Sequence, residues 1–181
     1  MTAAYREPHR HYHTLQHLGE CLAQFDRVGS LAANPAEVEI ALWFHDAIYD
    51  VKRADNEQRS ADWLQAAARA DGVADRTADR VSALILATRH AALPTGADEQ
   101  LLVDIDLAVL GADEARFAEY ERQIRAEYAF VPAPTFVTKR GALLAAFLGR
   151  TRIYSTPTLH DELEQRARAN LARSIAAGGV A

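Results

Sequence analysis

The stretch Asn34-Pro35-Ala36-Glu37-Val38-Glu39-Ile40-Ala41-Leu42-Trp43-Phe44-His45-Asp46-Ala47-Ile48-Tyr49-Asp50 sets up a helical pattern and then interrupts it with ionisable groups. Asn34-Pro35 predicts an N-cap followed by proline at the first helical position. Val38, Ala41, Leu42, His45 and Ile48 then share one helical face, which puts an imidazole on the stripe that should meet a core. Asp46 follows on the same turn, about 100° further round. It is near enough to coordinate the same ion or a bridging neighbour. A carboxylate buried there is costly unless it is paired or bound to a metal.

The helical period continues on both sides. Leu15, Leu18, Leu22 and Phe25 predict a first helix from His13 to Val28, ended by Gly29. After the loop Val51 to Asp55, a third helix is expected from Asn56 to Ala70, closed by Asp71-Gly72, and a fourth from Ala74 to His90. Leu93-Pro94-Thr95-Gly96 reads as a turn before a fifth helix, Asp98 to Leu110, stopped by Gly111. Asp113 caps a sixth reaching Tyr128. Pro132 and Pro134 break the chain before a seventh, Thr135 to Arg150, and Thr158 begins a last one ending near Ala176 with Gly178-Gly179 after it. No strand-length run alternates. The expected fold is all-α, an orthogonal bundle of seven to eight helices forming a single domain over residues 1–181.

Composition agrees. The 181 residues can bury roughly two thirds of their unfolded surface. A hydrophobic fraction of 49% with 25% charged residues is ordinary for a globular chain. The net charge of −5 argues against nucleic acid as the main partner, because phosphate binding relies on clustered Lys and Arg. No apolar run nears the roughly 20 residues that cross a bilayer, and the N-terminus lacks the apolar segment of a secretion signal, so no membrane partner and a cytoplasmic location are expected. The single cysteine, Cys21, reads as a small packed side chain.

Two further stretches carry candidate chemistry. In Leu101-Leu102-Val103-Asp104-Ile105-Asp106-Leu107-Ala108-Val109-Leu110, positions 102, 103, 106, 109 and 110 share one face, and Asp106 alone on it is charged. Asp104 falls off that face and reads as solvated. In Tyr12-His13-Thr14-Leu15-Gln16-His17 the two imidazoles stack one turn apart along the edge of an apolar stripe, so both can look into one pocket. Imidazoles combined with carboxylates make a mixed N/O donor set suited to Mn, Fe, Co, Ni, Zn or Mg, as one ion or two.

A His, then His-Asp in an apolar helix, then a distant Asp resembles the HD superfamily of metal-dependent phosphohydrolases. Within it, Arg10 to His17, Phe44 to Asp50 and Asp104 to Gly111 look like a bacterial subfamily known mainly as predicted HD phosphohydrolases, with Asp55-Asn56-Glu57 and Arg150-Thr151-Arg152-Ile153-Tyr154 also matching. The resemblance spans nearly the whole chain and implies a helical fold. It implies that His17, His45, Asp46 and Asp106 hold a divalent metal, with Asp46 able to bridge to a second. His13 stands where a Tyr-His-Asn-x-x-His motif of cyclic-nucleotide phosphodiesterases has its proton-donating His, although Thr14 replaces the Asn. Asp50 is similar in placement to a catalytic carboxylate of the HD hydrolases of guanosine tetraphosphate, although Tyr49 replaces the usual preceding Glu. Such proteins usually carry another helix before the Tyr5-x-Glu7-Pro8-x-Arg10 segment, where this chain has Met1 to Ala4.

The expected activity is hydrolysis of a phosphate ester or anhydride on a small phosphorylated substrate, a nucleotide being one form. Metal-activated water would attack, Asp50 would orient or deprotonate it, and His13 would protonate the leaving oxygen. His90 is a candidate for a second metal or a phosphate, or alternatively a cationic helix cap. Lys139, Arg140 and Arg150 are candidates for phosphate contacts, set against solvated helix charges. A nucleotide substrate would need a stacking wall, for which Tyr49, Trp43 and Tyr12 are available, with core packing the stronger role for Trp43. The alternative class is a metal-stabilised helical binding or regulatory module without turnover. A homo-oligomer is compatible with either.

Overall fold

Thr14 opens the first helix, α1 (Leu15–Val28), from an extended conformation, and its hydroxyl accepts from the Gln16 amide at 3.2 Å. That satisfies one of the N–H groups a helix start leaves without an internal partner. The computed structural model describes residues 1–178, so Gly179 lies outside the described residues. Seven further α-helices follow: α2 (Pro35–Phe44), α3 (Asn56–Ala70), α4 (Asp75–Ala87), α5 (Ala97–Asp106), α6 (Glu114–Glu127), α7 (Ala133–Leu148) and α8 (Pro157–Ala176). Among the described residues there is no strand, and the fold is all-α. None of these helices is long and apolar enough to cross a membrane. The chain divides into two compact units, Met1–Asp106 and a second beginning at Leu107.

In the first unit α2 is the hub, packing against α1, α3, α4 and α5. Its Val38, Ala41 and Leu42 are fully buried, each larger side chain stabilising the fold by about 1.5–3 kcal/mol. α3 ends where expected. Gly72 takes a φ of +69°, and the Val73 N–H reaches back to the Ala68 carbonyl at 2.9 Å, a left-handed stop that glycine adopts without a Cβ penalty.

Three expectations change. Asn34 makes no side-chain cap for α2. Instead the Asp98 carboxylate accepts from the Ala33 and Asn34 amides and from Asn34 Nδ2 at 2.7 to 3.0 Å, so the start of α2 is fastened to α5. α2 also stops at Phe44, well short of Ile48, and His45 and Asp46 lie on the turn that leaves it. The expected helix Asp98 to Leu110 becomes α5 as far as Asp106, followed by a tighter 3-10 segment, Leu107–Gly111.

In the second unit α8 packs on that 3-10 segment and on α7. Asn170 Nδ2 donates to the Leu110 and Ala112 carbonyls, and the Tyr154 hydroxyl to the Leu107 carbonyl. Gly111 is needed for closeness: a Cβ there would sit 2.7 Å from the Leu163 Cβ. Asp113 caps α6 as predicted, accepting from the Arg116 amide at 2.9 Å. Pro134 does not break the chain; it occupies the first turn of α7, where its missing N–H has no intrahelical partner to lose.

Candidate metal centre

Every residue of the centre belongs to the first unit. His17 comes from the first turn of α1, His45 and Asp46 from the turn that leaves α2, and Asp106 from the last position of α5. Their ring and carboxylate atoms converge. His17 Nε2 lies 3.2 Å from His45 Nε2, 3.1 Å from Asp106 Oδ1 and 3.5 Å from Asp46 Oδ2. His45 Nε2 lies 3.1 Å from Asp46 Oδ2 and 3.5 Å from Asp106 Oδ1. The imidazoles are almost wholly hidden, at 2% and 1% exposure for His17 and His45, while the Asp46 and Asp106 side chains keep 15% and 12%. The accessible side of the cluster is therefore the carboxylate side.

The protonation of His45 follows from its surroundings. Its Nδ1 lies 2.8 Å from the Leu42 carbonyl oxygen, which can only accept, so Nδ1 carries a proton and the neutral ring presents a lone pair at Nε2. That lone pair then faces carboxylate oxygens and a second ring nitrogen. Only a proton or a cation makes such a convergence of acceptors tolerable. Burial opposes a charged His45, but Asp46 and Asp106 outweigh it and hold the imidazole well above its ordinary range. Burial likewise opposes both carboxylates. The imidazoles of His45, His13 and His17 nevertheless keep Asp46 low, and those of His17, His45 and His90 keep Asp106 well below the usual carboxylate range.

The spacing fits a metal. An ion about 2.0–2.2 Å from each nitrogen or oxygen holds its donors about 3.0 Å apart at an octahedral angle and about 3.4 Å apart at a tetrahedral one. The separations here run from 3.1 to 3.5 Å. The residues present thus fit a small divalent cation, with His17, His45, Asp46 and Asp106 as the compact donor set.

Cys21, one turn beyond His17, is the neighbour whose position the sequence left unmarked. It is packed as expected, but against the site: its Sγ lies 3.7 Å from His17 Nε2, and His17, Cys21, His45 and Asp106 offer ligand atoms that all fall within 4.8 Å of one another. Burial, together with Asp106 and Asp46, pushes its thiol well above the ordinary value. Asp46 Oδ2, 3.1 Å from His45 Nε2 and 3.5 Å from His17 Nε2, is the oxygen donor beside the two rings, and Cys21 Sγ is a sulfur donor within reach of the same point.

The remaining candidates separate. His90 reaches the cluster, its Nε2 3.2 Å from Asp106 Oδ2, from a backbone φ of +53° that non-glycine residues rarely adopt. His13 stacks on Tyr49 with ring centroids 4.0 Å apart, and Tyr12 is buried 4.7 Å from the His17 ring. Trp43 packs with Phe44 and Trp63 around Tyr5, Leu18 and Ala47, which makes it core rather than stacking wall. One Asp50 oxygen closes a turn on the Lys52 amide at 2.9 Å, and the Asp50 backbone is gripped by the Asn56 side chain.

Asp104 is a correction. It is 0% exposed rather than solvated: α5 packs against α1, α2 and α4, and its stretch from Leu101 to Ile105 is buried on every side. Arg140 is another. It is buried in the second unit, 2.5 Å from Glu121, whose other oxygen accepts from Ser174, so it belongs to a structural knot and not to a phosphate site. Burial opposes its charge, but Tyr120 and Glu121 more than compensate and keep it protonated. Arg150 lies over the Phe147 ring at 4.5 Å, and Lys139 is exposed on α7.

No family model matches this chain, and no curated protein or solved structure matches it either.

Proposed function

We infer that the chain is a metal-dependent phosphohydrolase of the HD type, cleaving a phosphate ester or anhydride of a small substrate such as a nucleotide. The observation that carries this is the approach of the His17 and His45 Nε2 atoms to each other at 3.2 Å and to both the Asp46 and the Asp106 carboxylate at 3.1 to 3.5 Å. When bound, a divalent cation supplies Lewis acidity toward a phosphoryl oxygen and acidifies water toward neutrality. Two imidazoles among four donors favour Mn, Fe, Co, Ni or Zn over the oxygen-seeking Mg.

The chain's own residues do the rest. Leu42 fixes the His45 ring so that Nε2 points into the centre. His13, held flat against Tyr49 beside the Asp46 charge, carries the proton destined for the leaving oxygen. His90 steadies the outer oxygen of Asp106. Asp50 remains the proposed water-orienting base, with one oxygen committed to the Lys52 amide. A phosphate would approach the carboxylate side, where Asp46 and Asp106 retain exposure.

The near-total burial of His17 and His45 favours a second reading, a helical binding module stabilised by metal without turnover. One experiment tests both. Purified protein is incubated with Mn, Co, Ni, Zn or Mg and a panel of phosphate monoesters, nucleoside monophosphates and nucleoside triphosphates, and released phosphate is measured. Metal-dependent release abolished by a chelator supports the hydrolase. No release with any metal, together with melting induced by the chelator, supports the module.

A further inference from the structure

The segment before α1 directs its donors at one row of carbonyls. The Tyr5 hydroxyl donates to the Trp43 carbonyl at 3.0 Å, His9 Nε2 to Tyr49 at 2.8 Å, and Arg10 to Asp46 and Ala47 at 2.6 and 3.1 Å. These carbonyls lie at the end of α2 and on the turn after it, where the helix runs out of N–H partners and its negative end adds to the charge of Asp46. Arg10 does most. Its side chain is fully hidden, Nε donates to Glu7 at 3.0 Å, and Nη1 also donates to the His13 carbonyl at 3.1 Å. Its guanidinium carbon lies 5.3 Å from the centre of the Tyr5 ring and 5.5 Å from that of Tyr49.

We propose that Arg10 is the positioning residue of the centre: it fixes Asp46 and His13 through their own backbone carbonyls, given the reading above that the cluster takes a divalent cation. One planar fork joins the two segments that must stay in register, the lead-in to α1 and the turn leaving α2. Lysine cannot replace it. A single ammonium carries the charge but cannot span three carbonyls and a carboxylate at once. Charge alone would act in the opposite direction, since a fixed cation beside the site repels an incoming one. Geometry and charge therefore predict opposite consequences of removing Arg10.

The experiment titrates Co(II) into metal-free, full-length wild type, Arg10→Lys and Arg10→Ala, following the visible ligand-field bands, with and without guanidinium ion at millimolar, non-denaturing concentration. Circular dichroism confirms folding. Wild type should develop the bands, and both variants should lose affinity by about 10- to 100-fold with altered bands, the usual consequence of losing a group that orients metal ligands. Guanidinium should restore Arg10→Ala and leave Arg10→Lys unchanged. Arg10→Lys with wild-type affinity and bands, or Arg10→Ala binding Co(II) more tightly than wild type, would overturn the positioning role. If Arg10→Ala does not fold, the charge-preserving Arg10→Lys decides alone. Wild type that binds no Co(II) would overturn the metal reading itself, and this inference with it, whereas variant failures touch only Arg10.

Discussion

Residues 1–106 and the residues from Leu107 onward each hide a charged cluster, and the two are completed differently. In the second unit Arg140 meets Glu121, Glu121 also accepts from Ser174, and Glu164 accepts from the Ile153 and Tyr154 amides and from Arg168. Each acceptor faces a donor of this chain. In the first unit His45 Nε2 and His17 Nε2 lie 3.2 Å apart and each lies 3.1 to 3.5 Å from both the Asp46 and the Asp106 carboxylate, and the proposed partner that would complete them is a cation rather than a side chain. The second cluster answers each of its acceptors from within the chain, though Arg140 Nε is left buried without a partner; the first crowds acceptors together, the arrangement that the proposed cation would relieve.

The largest effect that could break this contrast is loss of a ligand. Asp46→Ala or Asp106→Ala should abolish metal retention and phosphate release, since each leaves three donors and an uncompensated ring. Elemental analysis of the purified variants checks it, and a metal-replete Asp46→Ala would remove that residue from the donor set.

Next in size, Arg140→Met should destabilise the fold by about 3–5 kcal/mol, because it strands Glu121 in the interior. Its folded fraction should keep the proposed metal, all four proposed ligands lying within Met1–Asp106. Chemical denaturation and elemental analysis together read both halves, and loss of metal from folded Arg140→Met would erase the distinction between the clusters.

A pH series sharpens the same contrast. Without metal, the raised His45 contributes stability that is full below the ordinary imidazole value of about 6.5 and fades as pH rises through its raised folded value. The lowered Asp46 and Asp106 contribute stability present above about pH 4 and lost as pH falls through their depressed values. The metal-free cluster thus helps most between those limits and weakens above them. Metal reverses the trend, since it competes with the imidazole protons and binds better as they leave. Thermal melts from pH 5 to 9, with chelator and with Zn(II), should diverge above about 6.5; parallel curves would mean that the imidazoles do not exchange protons for metal.

How much of this could be read in advance depended on how local its cause was. The stop at Gly72 and the cap at Asp113 were legible because each acts within a few residues of itself. Asp106 stood out as a charge on an apolar stripe. Asp104 did not, because its burial comes from three other helices closing round α5. The end of α2 at Phe44 was likewise hidden. The pattern runs on to Ile48, but Tyr5 and Arg10 take the carbonyls at and beyond the helix end, and a lone arginine in a polar lead-in carries no signal of that task. Arg140, read as a phosphate contact from residue type alone, finds its partner 19 positions away.

The smallest effect separates the units most cleanly because it can be matched between them. Thr14 and Asp113 each cap one helix by accepting from a first-turn amide, and replacing either by alanine should cost about 1 kcal/mol. Only Thr14 begins a helix that carries a ligand. Fraying the first turn of α1 loosens His17, three residues on, whose Nε2 must stay 3.1 Å from Asp106. Thr14→Ala should therefore weaken Zn(II) or Co(II) affinity by up to about fivefold, the population equivalent of about 1 kcal/mol. Asp113→Ala should melt earlier by a similar free energy and bind metal as wild type does. Equal affinity in the two variants would show that His17 is held by its packing against Tyr12 and Cys21 rather than by the start of its helix.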